Sequence, residues 1–138
     1  KQGQMFAIWL LRTDLVYPPE IDVNETFFET PLRVHMTVHG EGPGGSDPYE
    51  QVVFEPDGGM LGVWHTYGFE WTSTRMKFYT DGALKWDIPN FVDAPMYTMI
   101  TYEVGGAASG SEPIEPVVQA SWPGEIEIDY IRIYATKP

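Results

Sequence analysis

The run Pro18-Pro19-Glu20-Ile21-Asp22-Val23-Asn24-Glu25-Thr26-Phe27-Phe28 constrains this chain more than any other. Two prolines hold the entering backbone extended and disfavour a helix at its start. In the strand that follows, alternate side chains share a face, so Glu20 and Asp22 point one way while Ile21 and Val23 point into a core. Strict alternation would put Asn24 with the acids and turn Glu25 inward beside Ile21 and Val23, where an ionised carboxylate is costly. A one-residue β-bulge at Val23-Asn24 resets the phase and returns Glu25 to the acidic face. With one residue taken up by the bulge, Glu20 and Glu25 stand four strand steps apart, roughly 13 Å between α-carbons. Long side chains leaning inward over the shorter Asp22 can bring the two glutamate carboxyl groups to about 5–5.5 Å.

The rest of the chain repeats the strand signal. Leu32, Val34, Met36 and Val38 alternate with Arg33, His35, Thr37 and His39, which makes a half-buried strand whose polar set faces the acids if the two strands pair. His65, Tyr67, Phe69 and Trp71 share one face of a further strand. Met76 to Thr80 and Ala83 to Trp86 flank Asp81-Gly82, the signature of a hairpin with a type I′ turn. The apolar run Met5 to Leu11, the stretch Tyr97 to Val104 and the closing Glu127 to Tyr134 read as strands too. In the closing stretch Ile126 and Ile128 are out of phase with Ile131 and Ile133, so a bulge near Asp129-Tyr130 or burial of both faces is expected. With 12 prolines, 14 glycines and 14% aromatic residues in 138, the chain is the size of one all-β domain, and no stretch sustains a helical period.

A net charge of −12 with only 8 Lys+Arg leaves no basic patch for phosphates, which argues against nucleic acid and anionic membranes and favours neutral polymers or cations as partners. There is no cysteine, hence no disulfide and no thiolate metal site. His35 and His39, four apart on a strand, are a poor metal pair. Spacing alone leaves three readings of the acidic cluster open: a solvated strand face, a Ca²⁺ ligand set, and a catalytic group.

Glu20-Ile21-Asp22-Val23-Asn24-Glu25 resembles the catalytic signature of the family 16 glycoside hydrolases in its bulged form. Other blocks follow in the family's order. Phe6-Ala7-Ile8-Trp9-Leu10-Leu11 looks like the strand entering the cleft, and Tyr17-Pro18-Pro19 stands where relatives often carry Trp-Pro-Pro. Thr37-Val38-His39-Gly40, Trp64 to Thr72, Lys77 to Gly82, Pro95-Met96-Tyr97 with Val104-Gly105-Gly106, and Glu127 to Tyr134 complete the series. The resemblance implies a concanavalin-like β-sandwich (jelly roll) and an endo-acting retaining hydrolase of β-1,3 or mixed β-1,3/1,4-glucan, or of bacterial exopolysaccharide. It further implies Glu20 as nucleophile, Glu25 as general acid and then base, and Asp22 as the group that orients Glu20. Trp9, Tyr17 and Trp122 would meet the sugar, with core packing the alternative for Trp9; His39 would contact substrate or help hold the catalytic carboxylates, with a hydrogen-bonded cleft histidine of no chemical role as its alternative. Thr101 occupies a position where many relatives carry a sugar-contacting Asn.

No cofactor is needed for that chemistry, but the resemblance places a structural Ca²⁺ at Asp129, for which an exposed acid is the alternative. It implies an extracellular or periplasmic protein acting on a polysaccharide. Residues 1–138 correspond to the C-terminal portion of the usual domain, without the N-terminal strands. A trimmed piece, a natural minimal variant and half of a two-chain assembly are the explanations; the open edges of such a sandwich invite completion by a second chain or an N-terminal segment. The competing function is a non-catalytic carbohydrate-binding module with a dead or incomplete site.

Overall fold

The computed structural model describes residues 4–28, 33–40, 50–104 and 125–135. Among them are eight strands: β1 (Gln4–Arg12), β2 (Glu20–Phe27), β3 (Arg33–His39), β4 (Glu50–Phe54), β5 (Tyr67–Trp71), β6 (Arg75–Thr80), β7 (Ala83–Pro89) and β8 (Met96–Val104). They form a five-stranded sheet in the order β4-β3-β2-β1-β8 and a three-stranded sheet in the order β5-β6-β7. Every pairing is antiparallel.

Alternation explains how the sheets meet. Val34, Met36 and Val38 of β3 and Ile21 of β2 are fully buried against Met76 and Phe78 of β6 and Trp86 and Ile88 of β7. Burying each such side chain stabilises the fold by about 1.5–3 kcal/mol. The Phe78 ring lies 4.8 Å from that of Phe69 and 4.9 Å from that of Trp86, centroid to centroid, which sets the spacing of the small sheet. Asp81 and Gly82 both have positive φ, 52° and 75°, as the type I′ turn between β6 and β7 requires.

Two expectations need correction. The strand around Tyr67 begins at that residue and leaves out His65; Leu61, Val63 and Trp64 before it are exposed in an irregular segment. The closing stretch is not a strand. Residues 125–135 pair with none of the eight strands, and Ile128, Tyr130, Ile131, Ile133 and Tyr134 are exposed. Apolar residues at strand spacing form a strand only where a second backbone offers its N–H and C=O groups, and no described neighbour does so here. Part of this segment, Glu125 to Tyr130, lines a groove of about 550 Å³ together with Phe6, Ile8, Thr26 and Phe28. Those four residues belong to the face of the large sheet turned away from the acids.

Candidate active site

The opposite face of the large sheet carries the site. On β2 the pairing with β1 runs Leu11↔Glu20, Leu10↔Ile21, Trp9↔Asp22 and then Ile8↔Asn24, so Val23 has no partner. Against β3 the register runs Asp22↔Thr37 and then Glu25↔His35, so Met36 alone opposes both Val23 and Asn24. This is the expected bulge at the expected place. It exchanges one burial for another: Glu25 joins the face of Glu20 and Asp22, and Asn24 goes inward, completely buried, where its Oδ1 accepts a hydrogen bond from Thr26 Oγ1 at 3.0 Å. A neutral amide with a partner costs less inside than an ionised glutamate.

Burial and like charge govern the electrostatics. Glu25 is pushed from 4.5 up to about 8, first by loss of solvent and then by the negative charge of Asp22; His39 pulls the other way, Glu20 adds a smaller push, and Thr37 a still smaller pull. Its carboxyl therefore keeps a proton at neutral pH. Thr37 Oγ1 stands 3.5 Å from Glu25 Oε2 and accepts a hydrogen bond from Gln51 Nε2 at 3.0 Å. Asp22 is also raised by burial, with His39 pulling the other way. Its buried Oδ2 makes no well-formed hydrogen bond, and His39 Nε2 faces it at 3.4 Å and Glu20 Oε1 at 3.9 Å.

The sugar-contact candidates fall beside this cluster, save one. Trp9, opposite Asp22, is half-buried, packs on Met5 and Ala7, and donates from Nε1 to Thr101 Oγ1 at 3.3 Å. Trp9 thus packs within its own sheet on the face of the acids, and Thr101 reaches that face as the partner of its indole. Tyr17 is exposed at the rim, its hydroxyl 3.0 Å from His39 Nδ1. Trp122 lies outside the described residues. Gln51 is a residue that the sequence reading passed over; its strand, β4, does carry a signal in Val52-Val53-Phe54, but only the sheet order shows that it stands opposite Thr37.

The side-chain donors that converge, within 4.8 Å of one another, are Glu20, Asp22 and His39, the same residues that make up the ion-pair cluster. Asp129 is exposed and joins no group of three such donors among the described residues. Its carboxylate would be one of the about six to eight oxygens of a calcium shell, the rest coming mainly from backbone of other segments.

Two stacked antiparallel sheets with this topology define an all-β jelly-roll sandwich. The chain belongs to family 16 of the glycosyl hydrolases, whose sequence model matches residues 1–132. It is 35% identical over 136 residues to the endo-1,3-1,4-beta-glycanase ExsH of Rhizobium meliloti (strain 1021), a match covering 97% of this chain and 28% of that protein. It is 26% identical to a beta-glucanase of Rhodothermus marinus, over 96% of this chain and 52% of the relative. The catalytic domain of an endo-1,3-beta-glucanase (laminarinase) from Thermotoga petrophila RKU-1 superposes with a TM-score of 0.68 at 25% identity, over 86% of this chain and 53% of that one. The chain thus spans about a quarter to a half of the length of these relatives.

Proposed function

We propose that these residues form the acid-bearing part of a retaining endo-β-glycosidase acting on β-1,3 or mixed β-1,3/1,4-glucan or a related bacterial exopolysaccharide. The observation that carries the reading is the bulge that sets Glu25 on the same strand face as Glu20 and Asp22, where burial and the charge of Asp22 push its pKa up to about 8. In the first step Glu20 attacks the anomeric carbon while Glu25 gives its proton to the departing glycosidic oxygen, leaving a glycosyl ester on Glu20. In the second, Glu25, now a carboxylate, takes a proton from water as that water displaces the ester, which restores both groups. Asp22 lies between them and fixes Glu20, and Trp9 and Tyr17 offer flat faces to pyranose rings. The reading is supported by the names of relatives, an endo-1,3-1,4-beta-glycanase in R. meliloti and an endo-1,3-beta-glucanase (laminarinase) in Thermotoga petrophila.

The exposed Ile128, Ile131 and Ile133 and the groove beneath Phe6 and Ile8 favour completion of the sandwich by further polypeptide, either a segment joined to this one or a second chain. They also favour, as the second reading, a carbohydrate-binding module whose site no longer turns over. Release of reducing ends from laminarin and lichenan, compared with Glu20→Gln, separates the two. Turnover that disappears in the variant supports the enzyme, whereas equal binding of glucan by both proteins with no turnover in either supports the module.

A further inference from the structure

An imidazole that faces carboxylates must present an N–H to them, because a ring lone pair would repel the acceptor oxygens. His39 Nε2 faces Asp22 Oδ2 and Glu20 Oε1. In the neutral ring a proton on Nε2 leaves Nδ1 as a lone pair, which then needs a donor of its own. The hydroxyl of Tyr17 lies 3.0 Å from that nitrogen.

The geometry points to Tyr17 as a positioning residue whose hydroxyl, by bonding His39 Nδ1, holds the Nε2–H of His39 toward Asp22 and Glu20. This rests on the proposal that those acids do the chemistry, and it assigns the tyrosine a task separate from stacking on sugar. The phenolic oxygen serves both states of the ring. It donates to Nδ1 when His39 is neutral and accepts from Nδ1–H when His39 is charged, whereas an indole in the same place could only donate. Asp22 needs such a neighbour, since its buried Oδ2 has no better hydrogen bond.

The local sequence places the tyrosine. Arg12 pairs with Asp14, the Asp14 carboxylate accepts the Val16 N–H at 3.2 Å, and Leu15 N–H bonds Arg12 C=O at 3.0 Å, with Leu15 at φ 62°. This knot ends β1 and aims the next residues back across the sheet. At the far end of the contact, Gly40 has φ 146°, and a Cβ there would sit 3.5 Å from both Pro19 and Phe91, so the backbone after His39 closes on the Pro18-Pro19 segment. The Tyr17 and His39 rings come within 5.8 Å, tilted by 50°.

The test is long-range ¹H–¹⁵N NMR of the histidine rings in the full chain and in Tyr17→Phe, with His39→Gln to assign the signals, alongside kinetics on laminarin and lichenan. The wild type should show a protonated Nε2 and a hydrogen-bonded, unprotonated Nδ1 at His39. In Tyr17→Phe the Nδ1 signal should shift and the two tautomers mix. On whichever glucan is cleaved, kcat of Tyr17→Phe should fall about tenfold, the size expected for loss of one hydrogen bond beside a charge, with KM within about twofold. Tyr17→Ala, which also removes the ring, should raise KM as well. An unchanged His39 pattern in Tyr17→Phe, or unchanged kcat with only the alanine variant impaired, would overturn the assignment. A lost tautomer preference in a chain that cleaves no glucan would leave the tyrosine's task standing and remove the catalytic reading.

Discussion

Met36 and Val38 on one side, Ile131 and Ile133 on the other, are apolar residues two apart in segments of similar make-up, yet the first pair is fully buried and the second is 59% and 83% exposed. The difference lies in their neighbours. β3 has hydrogen-bonded strands on both sides and the small sheet beneath it, whereas residues 125–135 pair with no described strand. Apolar spacing states a capacity to form sheet; burial follows only where another backbone and another face are supplied. The acids share part of that fate, because the strands that flank β2 bury Asp22 and leave Glu25 half-buried.

That contrast can be broken at graded cost. Glu25→Gln keeps the shape of the side chain and removes the transferable proton, so glucan cleavage should drop by about 10²–10⁴-fold, read as initial rates. Met36→Ala opens a cavity in the sealed region and should cost about 2–5 kcal/mol in urea unfolding. At the boundary, His65 bonds Asp81 Oδ2 through Nδ1 at 2.8 Å and the Gly59 carbonyl through Nε2 at 2.7 Å. Both partners are acceptors, so the arrangement favours the form in which both ring nitrogens donate, the cation. Burial works against that charge, but the bonds to Asp81 and Gly59 outweigh it and raise the pKa above 6.5. A raised folded-state pKa gives stability that is fully present below about pH 6.5 and is lost as pH rises through the folded value. The Tm deficit of His65→Gln should therefore be larger at pH 5.5 than at pH 8.5; equal deficits would mean a neutral ring. The smallest effect is expected for Ile133→Ala, within about 0.5 kcal/mol in the isolated chain. A core-sized loss there would show that the closing segment is packed after all.

The parts legible in the sequence were those with a local cost attached. The bulge followed from the expense of turning Glu25 inward, the face of β3 from strict alternation, and the Asp81-Gly82 turn from residues that tolerate positive φ. What stayed hidden depends on residues far apart in the chain. Gln51 meets Thr37 only because β4 is the outer neighbour of β3, and Thr101 meets Trp9 only because β8 pairs with β1. The Tyr17 hydroxyl was invisible for the same reason, since a rim aromatic reads first as a stacking surface. The closing segment reads as a strand in sequence because its isoleucines give the same signal with or without a partner strand.

The central claim is that the bulge brings Glu25 into a buried, acid-crowded face where it keeps its proton. A ¹³C NMR titration of the Glu25 side-chain carboxyl measures this directly. A midpoint near 8 is the predicted result, and a midpoint close to the ordinary glutamate value of about 4.3 would contradict it.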